Sequence, residues 1–297
     1  MTTYQDLVER TRHHTMTGMP DRLNLLDANI NDTINTLNLT YELLGVAIGS
    51  TISIGTEEMH VLEVPSTVAH SPITVIRGAN GSTKAAHTAG DTIRVNPQFS
   101  DYRIITSVNE CLQSLGGEGL FQIKNFIFTF NPSQAGYEVT PTDFIDGWKL
   151  NYDTPGPLNN WPNLSRQMWS IDHAASTTDF PSGKSITLRL PGATGFPMKL
   201  TYKANFSTST ILTDDVLTVT GLPLTAHDIP PLGAAIRLNF GRDIKRSFIT
   251  RQPEPRRQEE VPPGSAQQSI QTILKWYYSA IDREKRLLHR LYPAQVG

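Results

Sequence analysis

Ile73-Thr-Val-Ile-Arg77-Gly-Ala-Asn-Gly-Ser-Thr-Lys-Ala-Ala-His87-Thr-Ala-Gly-Asp-Thr-Ile-Arg-Val-Asn-Pro97 reads as two strands joined by a loop of small residues. Residues 73–77 and 92–95 have the β-branched density of strands, and Gly78, Gly81 and Gly90 supply the left-handed backbone that tight turns need. No group in the stretch stands out as a site of chemistry, so it reads as a building block. Around it, residues 23–97 hold five or six short strands, including 33–39, 46–54, 59–63, 73–77 and 92–95. Strands this short and evenly spaced make a small barrel or sandwich. Ile52 and Ile54 alternate with Met59 and Val61 around Gly55-Thr-Glu-Glu58, which is expected to be a polar turn.

The order of these features carries a resemblance. A strand ending in Val75-Ile-Arg-Gly78, then Gly81-Ser-Thr with Ala85-Ala-His-Thr-Ala-Gly90, then a strand ending in Asn96-Pro97 before a helix, resembles neck and connector proteins of tailed bacteriophages. A second match follows in the same order: Arg246-Ser-Phe-Ile249 and Gln252-Pro-Glu-Pro-Arg-Arg-Gln-Glu-Glu-Val-Pro-Pro-Gly264 resemble the linker of those proteins. The resemblance implies a non-enzymatic virion protein with no cofactor. It further implies a ring of copies of itself, a dodecamer, at the head-to-tail interface, contacting the portal protein on one side and other neck or tail proteins on the other. Such a subunit is assembled in the host cytoplasm and resides in the virion.

The 297 residues leave room for two domains. With 18% charged and 38% hydrophobic residues, 20 Pro and 21 Gly, the composition fits a loop-rich β protein rather than a disordered chain or a coiled coil. The lone Cys111 excludes an intrachain disulfide and a cysteine-based zinc cluster, and agrees with a reducing compartment. Met1-Thr-Thr-Tyr-Gln-Asp6 lacks the basic start of a secretory leader, and no segment has the apolar length of a membrane span, so neither secretion nor membrane insertion is expected. The net charge of −2 hides an asymmetry. Residues 242–297 carry 11 Lys and Arg against 6 Asp and Glu, a local +5, which leaves −7 for residues 1–241. A basic tail on an acidic body suits docking on an acidic partner, or proximity to packaged DNA; equally, it suits a helix with solvated cations.

The fold class expected is α+β, mainly β: a small N-terminal β-barrel or sandwich plus helix, a second antiparallel β-sandwich, and C-terminal helices on a Pro-rich linker. A short helix over 3–14 opens with Thr3 and Asp6 as a capping box. A clear helix over 100–115 places Tyr102, Ile105, Val108, Cys111, Leu112 and Leu115 at three- and four-residue steps, and Gly116-Gly117 ends it. Alternation in Phe126, Phe128, Phe130, in Ile186, Leu188, Leu190 and in Leu200, Tyr202, Ala204 marks one-sided strands, with 216–219 as one more. Residues 143–180 look like a long loop. The domains read as 1–119, a sandwich at 120–230 that interrupts the body as an insertion, a helix at 231–250 with Ile236, Phe240 and Ile244 in step, a linker at 251–264, and a docking helix at 265–297.

Chemistry is mostly absent from the pattern. Ser182-Gly-Lys-Ser185 ends like a phosphate loop, but its first glycine position is Thr178. His13 and His14 are adjacent and cannot share a helical face. The acidic residues Asp143, Asp146, Asp153, Asp172 and Asp179 lie in sequence near Trp148, Trp161 and Trp169. That grouping can be read as sugar stacking with calcium or catalytic carboxylates, or as tryptophans in a core or interface with aspartates capping turns. On the last helix, Ile270, Leu274, Tyr277, Ile281, Leu288 and Leu291 form a stripe with Arg283 and Arg286 beside it, read as docking on the portal or a neighbouring subunit. Arg256 and Arg257 of the linker are candidate contacts to a ring neighbour. Three readings remain open at this stage: a connector-ring subunit, a tail or baseplate component whose sandwich binds a host glycan, and a carbohydrate-active enzyme.

Overall fold

The computed structural model describes residues 2–15, 21–134, 136–153, 161–189, 195–249 and 265–293, with side chains described throughout these except at 241–249 and 265–269. Leu190, expected in an alternating strand, and the linker with Arg256 and Arg257 lie outside the described residues. The protein is α+β, with twelve described strands in antiparallel sheets. Two compact units divide it: Met1–Cys111 with Thr208–Ala280, and Leu112–Ser207 with Ile281–Gly297. The second unit interrupts the first in sequence. Residues 208–230, read from sequence with the sandwich, fall in the first unit.

The first unit is built on six strands: β1 (Arg22–Leu25), β2 (Thr36–Asn38), β3 (Thr51–Ile54), β4 (Glu57–Glu63), β5 (Pro72–Ile76) and β6 (Thr92–Val95), in the order β1-β6-β3-β4-β5-β2. A bridge between Leu26 and Leu39, beside bonds from Asp27 N to Asn38 O and Thr40 N to Leu25 O, joins the two outer strands. The sheet therefore closes on itself as a small barrel, which leaves no open edge. Its interior holds Leu26, Leu37, Leu39, Ile52, Ile54, Met59, Val61, Ile73, Val75, Ile93 and Val95. Each such side chain contributes about 1.5–3 kcal/mol by burial.

The β3–β4 hairpin overturns the expected turn. Ile54 pairs with Glu57, so only Gly55 and Thr56 make the turn, with Gly55 at φ 52°. Glu57 and Glu58 are strand residues and both are buried. Strand β1 was not anticipated, because its inward residue is Asn24 while Leu23 faces out. The Asn24 amide stands in for strand pairing: Oδ1 accepts from Tyr41 N at 3.0 Å and Nδ2 donates to Tyr41 O at 3.1 Å.

Helix α1 (Tyr4–Thr15) starts at the capping box, with Thr3 N donating to Asp6 Oδ2 and Asp6 N to Thr3 Oγ1. Helix α2 (Asp101–Ser114) is capped by Ser100, whose Oγ accepts from Arg103 N, and buries Ile104, Ile105, Val108, Cys111 and Leu112. Residues 216–219, expected as a strand, form helix α3 (Val216–Thr220). Asp215 caps it by accepting from Thr218 N, and Gly221 closes it in the left-handed conformation; the caps outweigh the β-branched content. Helix α4 (Ile229–Ile249) buries Leu232, Ala234 and Ala235 and leaves Phe240 exposed, so its packed face is not the Ile236 and Phe240 row expected. Helix α5 (Ser265–Leu291) follows the linker, and the division between units falls within it, after Ala280. A Cβ on Gly233 of α4 would stand 2.3 Å from Cys111 Sγ and 3.0 Å from Tyr277, so helix contact here depends on glycine.

The second unit is a sandwich of two three-stranded antiparallel sheets, β7-β12-β9 and β10-β11-β8. Its strands are β7 (Gln122–Thr129), β8 (Gly136–Glu138), β9 (Phe144–Tyr152), β10 (Trp169–Asp172), β11 (Ser185–Leu188) and β12 (Pro197–Ala204). The two inner faces share a core of Tyr137, Val139, Phe144, Leu150, Trp169, Ile186, Met198, Leu200 and Tyr202. The region read as a long loop contains β9 and β10. β9 lost its alternation because register shifts opposite Thr201 to Ala204 change which residues face inward, and because Gly147 sits mid-strand. Gly147 is required there: a Cβ would lie 2.3 Å from Ile171 and 3.0 Å from Trp169.

Candidate functional site

The quoted loop is organised from below by a buried charge cluster. Glu57 Oε1 and Oε2 accept from Arg77 Nε and Nη2, both at 2.7 Å, a forked pair with neither side chain exposed. Arg77 spends its remaining donors on carbonyls: Nη1 on Asn31 and Ile34, Nη2 on Ala85. Glu57 also accepts from Gly78 N at 3.1 Å, Ala85 N at 3.0 Å and His87 Nε2 at 2.9 Å. His87 carries its proton on Nε2, since a carboxylate only accepts. Burial alone pushes the Glu57 carboxyl up, but Arg77, His87 and the Ala85 N–H together outweigh it and pull it down to about 2. Glu58, next along, accepts from the Asn80 amide and the Ser100 hydroxyl, which links the hairpin to the loop and to the cap of α2. Arg77 and His87 thus carry the structural chemistry that the sequence reading of this stretch did not assign.

A second ionic group lies beside α1. Asp21 accepts from Arg12 Nη1 at 2.8 Å and Arg94 Nη1 at 3.2 Å, Arg94 Nη2 reaches Glu9 at 3.3 Å, and Arg12 pairs with Asp101. Glu9, Arg94 and Asp101 of this group line a cleft of about 310 Å³ together with His87 and Asp91. Its charges are largely engaged with one another, which makes it a brace between α1, β6 and α2. Among the described residues no grouping of three or more His, Cys, Asp or Glu is placed to hold a metal ion. No described helix is long and apolar enough to cross a membrane.

The surface offers more. The 40–50 loop is joined to the end of β4 and the loop that follows it, through residue 71, by backbone bonds from Gly49 N to Val61 O and Leu43 N to Thr67 O. From these adjoining loops Leu44, Ile48 and Val68 project, 74%, 73% and 65% exposed, with Tyr41 and Leu62 also exposed. Glu42 and Glu63, in the same two segments of chain, are also exposed. The barrel interior is complete without these side chains, so their exposure is not explained by folding.

The C-terminal stripe is used in part within the chain. In the first unit, Tyr277 is buried with its hydroxyl 3.7 Å from Cys111 Sγ; in the second, Ile281 and Glu284 are buried. That corrects the sequence reading, which offered Tyr277 and Ile281 to a partner. Ile270 and Leu288 are half-buried, and Leu274 is marginally exposed. The other side of α5 is open: Trp276, Arg283, Arg286, Leu287, Arg290 and Leu291 are exposed.

The tryptophans do not make one platform. Trp169 is 3% exposed, a core residue with the Arg166 guanidinium 3.8 Å from its ring centre, which removes it as a glycan contact. Trp148 packs edge-on against Tyr292 at 5.3 Å and donates to Pro293 O. Trp161 is half-buried under Lys199, 4.3 Å from its ring. The aspartates are also engaged: Asp143 with Lys124 Nζ at 2.6 Å and Tyr202 Oη at 3.2 Å, and Asp172 with Ala174 N in a turn. Burial and the Asp143 carboxylate push Tyr202 up to about 12. Comparison with protein-family models and with curated proteins found no match for the chain.

Proposed function

We propose that this protein is a non-enzymatic structural subunit of a tailed-phage connector, an adaptor or neck ring joining the portal to the tail, assembled in the host cytoplasm and resident in the virion. The observation that carries the reading is the exposure of Leu44, Ile48, Leu62 and Val68 on adjoining segments of a barrel whose core is already filled. An exposed face of this kind serves association. The resemblance supplies the identity of the partners. Its motif residues Arg77, Gly78, Ala85 and His87 all contact Glu57, so the motif is one physical object rather than a string of unrelated positions. On this reading the work of the chain is binding, to copies of itself in a dodecameric ring, to the portal, and to other neck or tail proteins.

The test is mass and shape in solution, by light scattering and negative-stain microscopy, of the chain alone and mixed with a portal ring. Rings or portal-bound density that disappear on truncation after Gly264 are expected. A monomer indifferent to the portal would shift the reading to a glycan-binding tail component. That alternative rests on Trp161 and Trp148, since Trp169 is in the core; a glycan array decides it.

A further inference from the structure

The two open apolar surfaces are chemically matched, and we infer that they meet between copies: the outward face of α5 in one subunit docks on the 40–50 and 62–71 segments of the next. This rests on the ring reading above and names the contact that builds the ring. On α5, residues spaced three and four apart share a face. Arg283, Arg286 and Arg290 therefore form one row, with Leu287 and Leu291 forming a parallel apolar row beside it. On the same helix Ile281 and Glu284 are buried; the arginine row lies opposite Ile281, and Leu287 and Leu291, three and seven residues after Glu284, run along the edge of the buried side. The barrel face is its complement, with Leu44, Ile48, Leu62 and Val68 for the leucines and Glu42 and Glu63 for the arginines.

Charge settles the choice of occupant. The C-terminal 56 residues carry a net +5 and the preceding 241 a net −7, so another copy of this chain presents to α5 the sign of charge that attracts it. Two different patches that meet once per subunit form a heterologous contact, which propagates from copy to copy and makes a ring where the rotation closes. Arg286 and Arg290 are exposed side chains, so reversing them probes the contact without opening a core.

The experiment compares the full-length chain with Arg286→Glu/Arg290→Glu, with Glu42→Lys/Glu63→Lys, with the four changes combined, and with Leu44→Asp. Assembly is measured by sedimentation velocity over a range of salt, and folding is checked by circular dichroism. Each charge-reversed pair is expected to weaken assembly about tenfold or more, Leu44→Asp to weaken it similarly, and the combined variant to recover it. Wild-type rings that persist in both reversed variants overturn the inference and leave the ring reading standing. A wild-type monomer at every concentration overturns both. Loss of portal or duplex DNA binding in Arg286→Glu/Arg290→Glu, with self-assembly unchanged, overturns the inference and gives α5 to that partner.

Discussion

Replacing Glu57 by Gln probes the barrel at its most connected atom pair. Glu57 accepts five hydrogen bonds: two from Arg77, and one each from Gly78 N, Ala85 N and His87 Nε2. A glutamine in the same pose keeps one oxygen, enough for Arg77 Nε and Gly78 N. Its amide nitrogen then faces three donors, Arg77 Nη2, Ala85 N and His87 Nε2, while the buried Arg77 loses its counter-charge. Breaking a buried ion pair from one side costs about 3–5 kcal/mol. Pairing Glu57→Gln with Arg77→Met should cost less than the sum of the two single changes by at least about 1.5 kcal/mol, because the second change removes the stranded cation. The readout is hydrogen exchange of peptides spanning β3 and β4 across a urea series, which follows the barrel separately from the sandwich. A cost below about 1 kcal/mol for Glu57→Gln, or strict additivity, would refute the claim that this cluster holds the loop.

The same carboxylate sets an acid limit. Its pKa falls from 4.5 unfolded to about 2 folded, so its contribution is complete above about pH 4.5 and drains away as pH drops toward 2. Barrel stability should lose about 3 kcal/mol across that window, and the loss should be absent in Glu57→Gln. In the sandwich, Gly147→Ala should destabilise by about 1–3 kcal/mol, read by tryptophan fluorescence, because the new Cβ meets Ile171 and Trp169. Gly233→Ala should destabilise the helical layer, with partial rescue by Cys111→Ala, since Cys111 Sγ is the nearest obstacle; thermal melts of the single and double variants decide it. Asp215→Ala should cost about 0.5–2 kcal/mol by uncapping α3, visible as faster amide exchange over residues 216–220.

Elements whose cause is local were legible in the sequence. The Thr3 and Asp6 box starts α1, the apolar steps from Ile105 to Leu112 trace α2, and the alternation of Leu200, Tyr202 and Ala204 marks β12. Elements whose cause lies elsewhere in the chain were not. Glu57 and Glu58 look like a polar turn because their partners arrive from Arg77 and His87, 20 and 30 residues on, and from Ser100. β1 hides because an asparagine side chain replaces an inward apolar one, and β9 because bulges shift its phase. Val216 to Val219 carry strand-like side chains between a capping aspartate and a left-handed glycine, and the ends decided the conformation. The apolar stripe of α5 was legible, but Tyr277 and Ile281 turn inward, and the open side carries the arginine row.

On the proposed function this chain works by assembling with copies of itself. Native mass spectrometry of the full-length protein near neutral pH, from low to physiological salt, is the deciding measurement. One closed oligomer is expected, dodecameric if the resemblance extends to stoichiometry, that weakens as salt rises. A monomer that persists at every salt and protein concentration would contradict it.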